Sequence, residues 1–214
     1  MQINNEKRIK SILKGYNMLL NFAGSMISYE PTDECVTDFW SDGIIKTLPV
    51  SSSNPRFVLA ASQLRESCSE KPDCLNRLRK DYRRLFLDPV KPLASPVSTE
   101  YNKNNPTGKS RYDVNVTAFY ESYGWKPGSS YKLPDVHLGT KLLFLSLLID
   151  KYTKLDDKAC QSEMGKEIRR FITAHILSWI PEWNEKMQLN AETLCYKGIS
   201  SLIYACTEDL FYIL

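Results

Sequence analysis

Two histidines, six cysteines and one Gly-Lys-Ser triplet are the residues in this chain whose types could do chemistry. His137 opens a long apolar stretch, Leu138 to Ile149, and His175 lies in a separate helical block, Phe171-Ile-Thr-Ala-His-Ile-Leu-Ser-Trp179. Two histidines in different blocks do not make a metal site by themselves, and no Ser or Cys stands in a recognisable nucleophile motif. Cys35, Cys68, Cys74, Cys160, Cys195 and Cys206 form no Cys-x-x-Cys pair, so neither a zinc centre nor a dithiol redox motif is expected. Cys68 and Cys74 are close enough to be bridged, but reduced, mostly buried thiols are the expectation. Thr107-Gly-Lys-Ser110 has the ending of a phosphate-binding loop; the first glycine would fall at Lys103, and no strand precedes it. No catalytic activity and no cofactor are expected.

The elements around these residues read as helices. Pro134 and Asp135 precede the apolar run, Pro134 suiting a helix start and Asp135 able to cap the first turn, with His137 on that turn. Apolar residues all round the helix from Leu138 to Ile149 imply a central helix enclosed by others. Ile9, Ile12, Leu13, Tyr16, Leu19 and Leu20 mark an amphipathic helix over 5–22, and shorter helices are expected at 33–48 and 55–65. Leu75, Leu78, Tyr82, Leu85 and Phe86 form the apolar side of a helix over 73–86. From 87 to 110, prolines 89, 92, 96 and 106 mark a long irregular connection. Helices resume at 114–123, 160–179 and 191–212, with a turn at Gly124-Trp-Lys-Pro-Gly128 and a break at Pro181. No alternating strand pattern appears, so the fold class is all-α, a single domain over 1–214.

Composition agrees with one well-buried domain: 214 residues, 43% hydrophobic and 25% charged. A net charge of +3 without a compact basic run argues against nucleic acid. The apolar run at 142–149 is far short of the roughly 20 residues of a membrane span. The N-terminus, with Lys7, Arg8, Lys10 and Lys14 and no apolar core, does not read as a signal peptide, so the expected location is cytoplasmic. Asn115-Val-Thr117 fits a glycosylation acceptor that such a location would leave unused.

Three blocks resemble the TorD/DmsD/NarJ-type chaperones that mature molybdenum-containing oxidoreductases. Asp81-Tyr-Arg-Arg-Leu-Phe-Leu-Asp-Pro89 with Ser95-Pro96 resembles the family's Arg-Leu-Phe-x-Gly-Pro segment and its proline-rich loop. Leu133-Pro-Asp-Val-His-Leu-Gly139 is similar to the Glu-Pro-x-Asp-His motif ahead of a Leu-rich helix. Phe171 to Trp179, with Pro181 and Trp183 beyond, resembles the His-Leu-x-x-Trp block, and order and spacing match over about residues 10 to 210. The chain departs from the motifs at Leu133 and Val136, where the family has Glu and Asp, and at Asp88, where it has Gly.

The resemblance implies a chaperone that binds the twin-arginine leader and the apo catalytic subunit of a molybdoenzyme before cofactor insertion and export. Such a leader offers two arginines and an apolar segment, so its receptor needs an apolar groove with a polar or acidic end. Tyr82, Leu85 and Phe86 are the candidate groove residues, Pro96 and Tyr101 the loop above it, and Pro134, Asp135 and His137 the polar end. Plainer readings stand beside these: Leu85 and Phe86 as core, Asp135 as a helix cap, His137 as an internal hydrogen-bonding group, and His175 as packing with Trp179. A monomer and a segment-exchanged dimer both fit. The competing function is a helical enzyme or nucleotide-dependent regulator with an anion site at Gly108-Lys109-Ser110.

Overall fold

A computed structural model describes residues 2–36, 47–67, 73–101, 116–128 and 132–214. The apolar stripe on the first helix continues past Phe22 through Ala23, Met26 and Ile27, so α1 spans Gln2–Ser28. A short α2, Asp33–Val36, follows; residues 37–46 of the helix expected over 33–48 lie outside the described residues, and Thr47 and Leu48 are not helical. Next come α3 (Pro55–Ser67), α4 (Cys74–Tyr82), α5 (Val116–Ser122), α6 (Leu138–Lys154), α7 (Lys158–Ile172), α8 (Ile180–Asn190) and α9 (Leu194–Ile213). No strand is formed among the described residues beyond an isolated bridge between Val97 and His137, so the all-α expectation holds.

Pro181 does not separate two helices as its ring suggests. It stands at the second position of α8, where no intrahelical partner exists for the missing N–H. The expected helix over 160–179 ends in a π turn, Thr173–Leu177, and Trp179 donates its indole N–H to the His175 carbonyl at 2.8 Å.

The most enclosed helix is α9 rather than α6. Helix α9 packs against α1, α3, α4, α7 and α8, and Cys195, Tyr196, Ile199, Leu202, Ile203, Cys206 and Leu210 are fully buried on it. Gly198 lets α3 come close, since a Cβ there would lie 2.8 Å from Leu64 Cγ. Helix α6 packs between α1 and α7 and keeps an outer line in which Leu143 is 39% exposed, so its apolar circumference is only partly covered. An aromatic cluster of Phe119, Tyr120, Phe144 and Phe171 joins α5, α6 and α7.

Cys74 is disulfide-bonded, against the expectation of reduced thiols. Cys195 and Cys206 are free and buried, and Cys160 is free and exposed. Among the described residues no helix is long and apolar enough to cross a membrane, and no group of His, Cys, Asp or Glu could hold a metal ion.

Candidate functional site

Helix α4 buries Leu78, Asp81 and Tyr82, leaves Arg77 and Lys80 exposed, and holds the half-buried Arg79 against the Pro31 carbonyl. It runs into a π turn, Arg83–Leu87, whose extra residue per turn directs Leu85 and Phe86 into the core and leaves Leu87 outside. The Tyr82 and Phe86 rings meet edge to face at 5.2 Å, and Tyr196 of α9 closes the cluster at 6.3 and 5.6 Å. Burial, aided by Glu30, pushes the Tyr82 phenol up to about 12. Leu85 is fully buried and Phe86 is 9% exposed, so these three side chains are packed together as core.

Asp81 is a residue the sequence reading quoted without a role. Its carboxylate is buried and accepts from the Glu192 N–H, the Thr193 N–H at 2.8 Å and the Thr193 hydroxyl at 2.8 Å. Thr193 is the N-cap of α9, so one carboxylate from α4 holds the turn between α8 and α9. Arg84 closes the group, 2.6 Å from Glu192. No local pattern could have revealed this, because the partners lie more than a hundred residues away in sequence.

The segment from Asp88 to Tyr101 is stitched to both neighbours through its backbone. Asp88 accepts from the N–H groups of Val90 and Lys91, a compact turn that takes over where the family has Gly. Leu93 donates to the Arg84 carbonyl at 3.3 Å and Ala94 to that of Leu85 at 3.0 Å. The Ala94 carbonyl accepts from the Trp183 indole at 3.2 Å. Further on, the buried Pro96 accepts from the Leu138 N–H at 2.7 Å, and Ser98 donates its N–H to the Val136 carbonyl at 3.2 Å. The Ser98 hydroxyl donates to the same carbonyl and accepts from Lys141 Nζ at 2.5 Å. Tyr101 turns back on the segment, its hydroxyl donating to the Ser95 carbonyl at 2.7 Å.

This seam brings Leu85, Pro96 and His137 into one hydrogen-bonded run. Tyr101 flanks it, its ring 5.2 Å from Trp179 and 4.0 Å from Lys186 Nζ. Burial, with Glu100 and Glu182 adding to it, raises the Tyr101 phenol far above its usual value. Lys141 is 1% exposed and sits 5.1 Å from the Trp179 ring. A lysine inside an apolar helix was the signal for it, and the sequence reading passed over that signal.

Asp135 is not the cap of α6. The Pro134 carbonyl accepts from the His137 N–H at 3.0 Å and the Thr140 hydroxyl at 2.9 Å, a tight turn that sets the start of the helix two residues later. His137 is the N-cap: its Nδ1 accepts from the Gly139 N–H at 3.0 Å. An accepting Nδ1 places the imidazole proton on Nε2. Burial, with the Lys141 charge adding to it, lowers His137 to about 4, so the ring is neutral. Asp135 instead accepts from the Thr117 hydroxyl at 2.7 Å, and its carbonyl from the Tyr120 hydroxyl. Pro134 is exposed and Asp135 half-buried, the most accessible of the eight positions, while His137, the third member of the expected polar end, is buried.

Beside the seam, α1 and α6 leave an open apolar cleft of about 200 Å³ lined by Leu20, Gly24, Tyr29, Gly139 and Leu142. His175 is in a different place, edge to face with Phe119 at 5.7 Å and near Phe171 at 5.1 Å. Gly108-Lys109-Ser110 lies outside the described residues.

A profile of the family described as nitrate reductase delta subunit matches residues 54–185, more than half of the chain. The chain is 25% identical over 146 residues to a chaperone protein TorD of Vibrio parahaemolyticus, which covers 68% of each protein. It is 26% identical over 161 residues to a chaperone protein TorD of Vibrio vulnificus, covering 70% of this chain and 75% of that one.

Proposed function

Because this chain belongs to the TorD-type chaperone family, the family of the nitrate reductase delta subunit, we propose that it matures a molybdenum-containing oxidoreductase by binding the twin-arginine leader and the apo form of its catalytic subunit. It does so in the cytoplasm, before cofactor insertion and export, and carries out no reaction of its own. The whole chain acts as one chaperone unit, as a monomer or a segment-exchanged dimer.

The observation that supports this reading is the seam from Leu85 through Ala94 and Pro96 to Leu138 and His137. Two of the three sequence blocks, at 81–96 and 133–139, meet there through backbone bonds, and Trp183, just beyond the third, donates its indole N–H to the Ala94 carbonyl. Those bonds fasten an irregular segment, whose Ala94, Pro96 and Tyr101 are buried, to the end of α4 and the start of α6. An irregular segment of this kind opens more readily than a packed helix. Release of the segment uncovers Leu85 and Phe86 for the apolar part of the leader, while Asp135 and the exposed Glu100 offer carboxylates to its arginines. Hydrogen exchange on the full chain tests this step. With saturating leader, the amides of Ala94, Ser98 and Leu138 exchange faster; continued protection at all three would place leader binding elsewhere.

A further inference from the structure

Tyr101 already holds a cation supplied by the chain itself. The Lys186 ammonium of α8 stands 4.0 Å from the centre of its ring and 3.8 Å from the Glu182 carboxylate. Trp179 packs against the same ring, centroids 5.2 Å apart and 35° from parallel. Glu100, next to Tyr101 in sequence, is exposed, and its charge and that of Glu182 help to raise the phenol. An aromatic pair, two carboxylates and one half-buried lysine thus meet where the irregular segment ends against α8.

The lysine fills this place poorly. At 3.8 Å its pair with Glu182 is too long for a hydrogen bond, and with 32% and 43% of the two side chains exposed such a pair contributes little. Its flexible stem can carry the ammonium into water without moving α8. The same residue types, with arginine in place of lysine, also occur elsewhere in the molecule and fit more closely. The Arg56 guanidinium lies 4.3 Å from the Tyr204 ring centre, and one of its nitrogens reaches both Glu208 oxygens, at 3.0 and 3.1 Å. A guanidinium covers a ring face and bonds a carboxylate at once, which an ammonium does less well. The place at Tyr101 and Glu182 therefore favours an arginine over the lysine that occupies it.

We infer that Lys186 is an internal competitor for an arginine of the leader, holding the Tyr101 ring and Glu182 until that arginine displaces it. The inference rests on the leader-binding reading, and it adds the place of one guanidinium and the contact that keeps the place closed. It needs no surplus of acidic groups, because one cation is exchanged for another and the local charge is unaltered. Lys141, near the Trp179 ring, is 1% exposed and bonded to Ser98, so it belongs to the seam and not to the exchange. A place that Lys186 fills for most of the time binds its ligand more weakly, by the fraction left open.

Calorimetric titration of the natural chain, Lys186→Ala and Lys186→Arg with one twin-arginine leader tests it. Lys186→Ala should bind about three- to tenfold more tightly, since the competitor is gone. Lys186→Arg should bind about threefold more weakly, because a better competitor fills the place, whereas a general effect of charge predicts no change for this variant. Adding Glu182→Gln to Lys186→Ala should reverse most of the gain. Lys186→Arg keeps the ring contact, so it decides the matter even where Lys186→Ala lowers the thermal midpoint. Affinity that is not raised in Lys186→Ala at an unchanged midpoint, or not lowered in Lys186→Arg, overturns the inference. If no leader binds, a capped Arg-Arg dipeptide titrated by NMR against the same three proteins decides. The same order of affinities then keeps the arginine site and removes only the leader reading, and its absence overturns the inference.

Discussion

The backbone N–H of Leu138 donates to the carbonyl of Pro96 at 2.7 Å, so the first residue of α6 is satisfied by a distant loop and not by its own helix. Gly139, the next residue, is satisfied by the His137 side chain. Two of the four N–H groups that every helix start leaves open are thereby taken up at the seam. Anything that lifts the 94–98 segment uncovers one of them, which couples loop position to the end of a core helix.

His137 makes the seam acid-sensitive. Its folded value of about 4 lies below the ordinary 6.5, so the neutral form stabilises the fold. That stability is complete above about pH 6.5 and declines as pH falls towards 4, by about 3 kcal/mol across the window. Asparagine is a good N-cap that does not titrate, so His137→Asn should fold with similar stability at pH 7 and escape this decline. Urea unfolding of both proteins from pH 7 to pH 4 measures the difference; a constant difference would mean that His137 is not held neutral.

Asp81 is expected to matter more for stability than its place among exposed arginines suggests. Asp81→Ala leaves the Glu192 and Thr193 amides and the Thr193 hydroxyl without their acceptor, at a cost of about 3 kcal/mol. Urea unfolding at neutral pH checks it, and a loss under about 1 kcal/mol would show that water replaces the carboxylate.

The helical class and most of the elements were legible because their apolar spacing is strong and local. Helix α8 was missed because a proline was read as a stop, although the same ring fits a helix start. The cap of α6 was assigned to Asp135 because Asp outranks His as a cap; the Pro134 turn, which shifts the start to Leu138, has no signature in composition. The blocks carrying the candidate residues could be picked out, but not that Leu85 and Phe86 are core or that Lys141 and Ser98 bond to each other at the seam. Those relations depend on pairs far apart in the chain.

Gly198 marks the closest approach of α3 to α9. Gly198→Ala would place a Cβ 2.8 Å from Leu64 Cγ and 3.3 Å from the Ala60 carbonyl oxygen, so the helices must separate. The expected cost is about 2 kcal/mol, read as a lower thermal midpoint. An unchanged midpoint would mean that Leu64 can move aside.

Tyr101→Phe tests whether the segment must open for binding. The change removes the hydroxyl bond to the Ser95 carbonyl and keeps the ring against Trp179. Losing about 1 kcal/mol from the closed form should tighten leader binding up to about fivefold, because less of the binding energy is spent on opening. Weaker binding would mean that the hydroxyl touches the leader.

The central claim is leader recognition, and calorimetric titration of the full chain measures it most directly. The ligands are synthetic twin-arginine leaders of molybdoenzymes, each paired with a Lys-Lys version that keeps the charge but loses the bidentate fork. Saturable binding to a leader, weakened about tenfold or more in its Lys-Lys form, is the expected result. Equal affinity for both forms, or no heat with any leader, would contradict the claim.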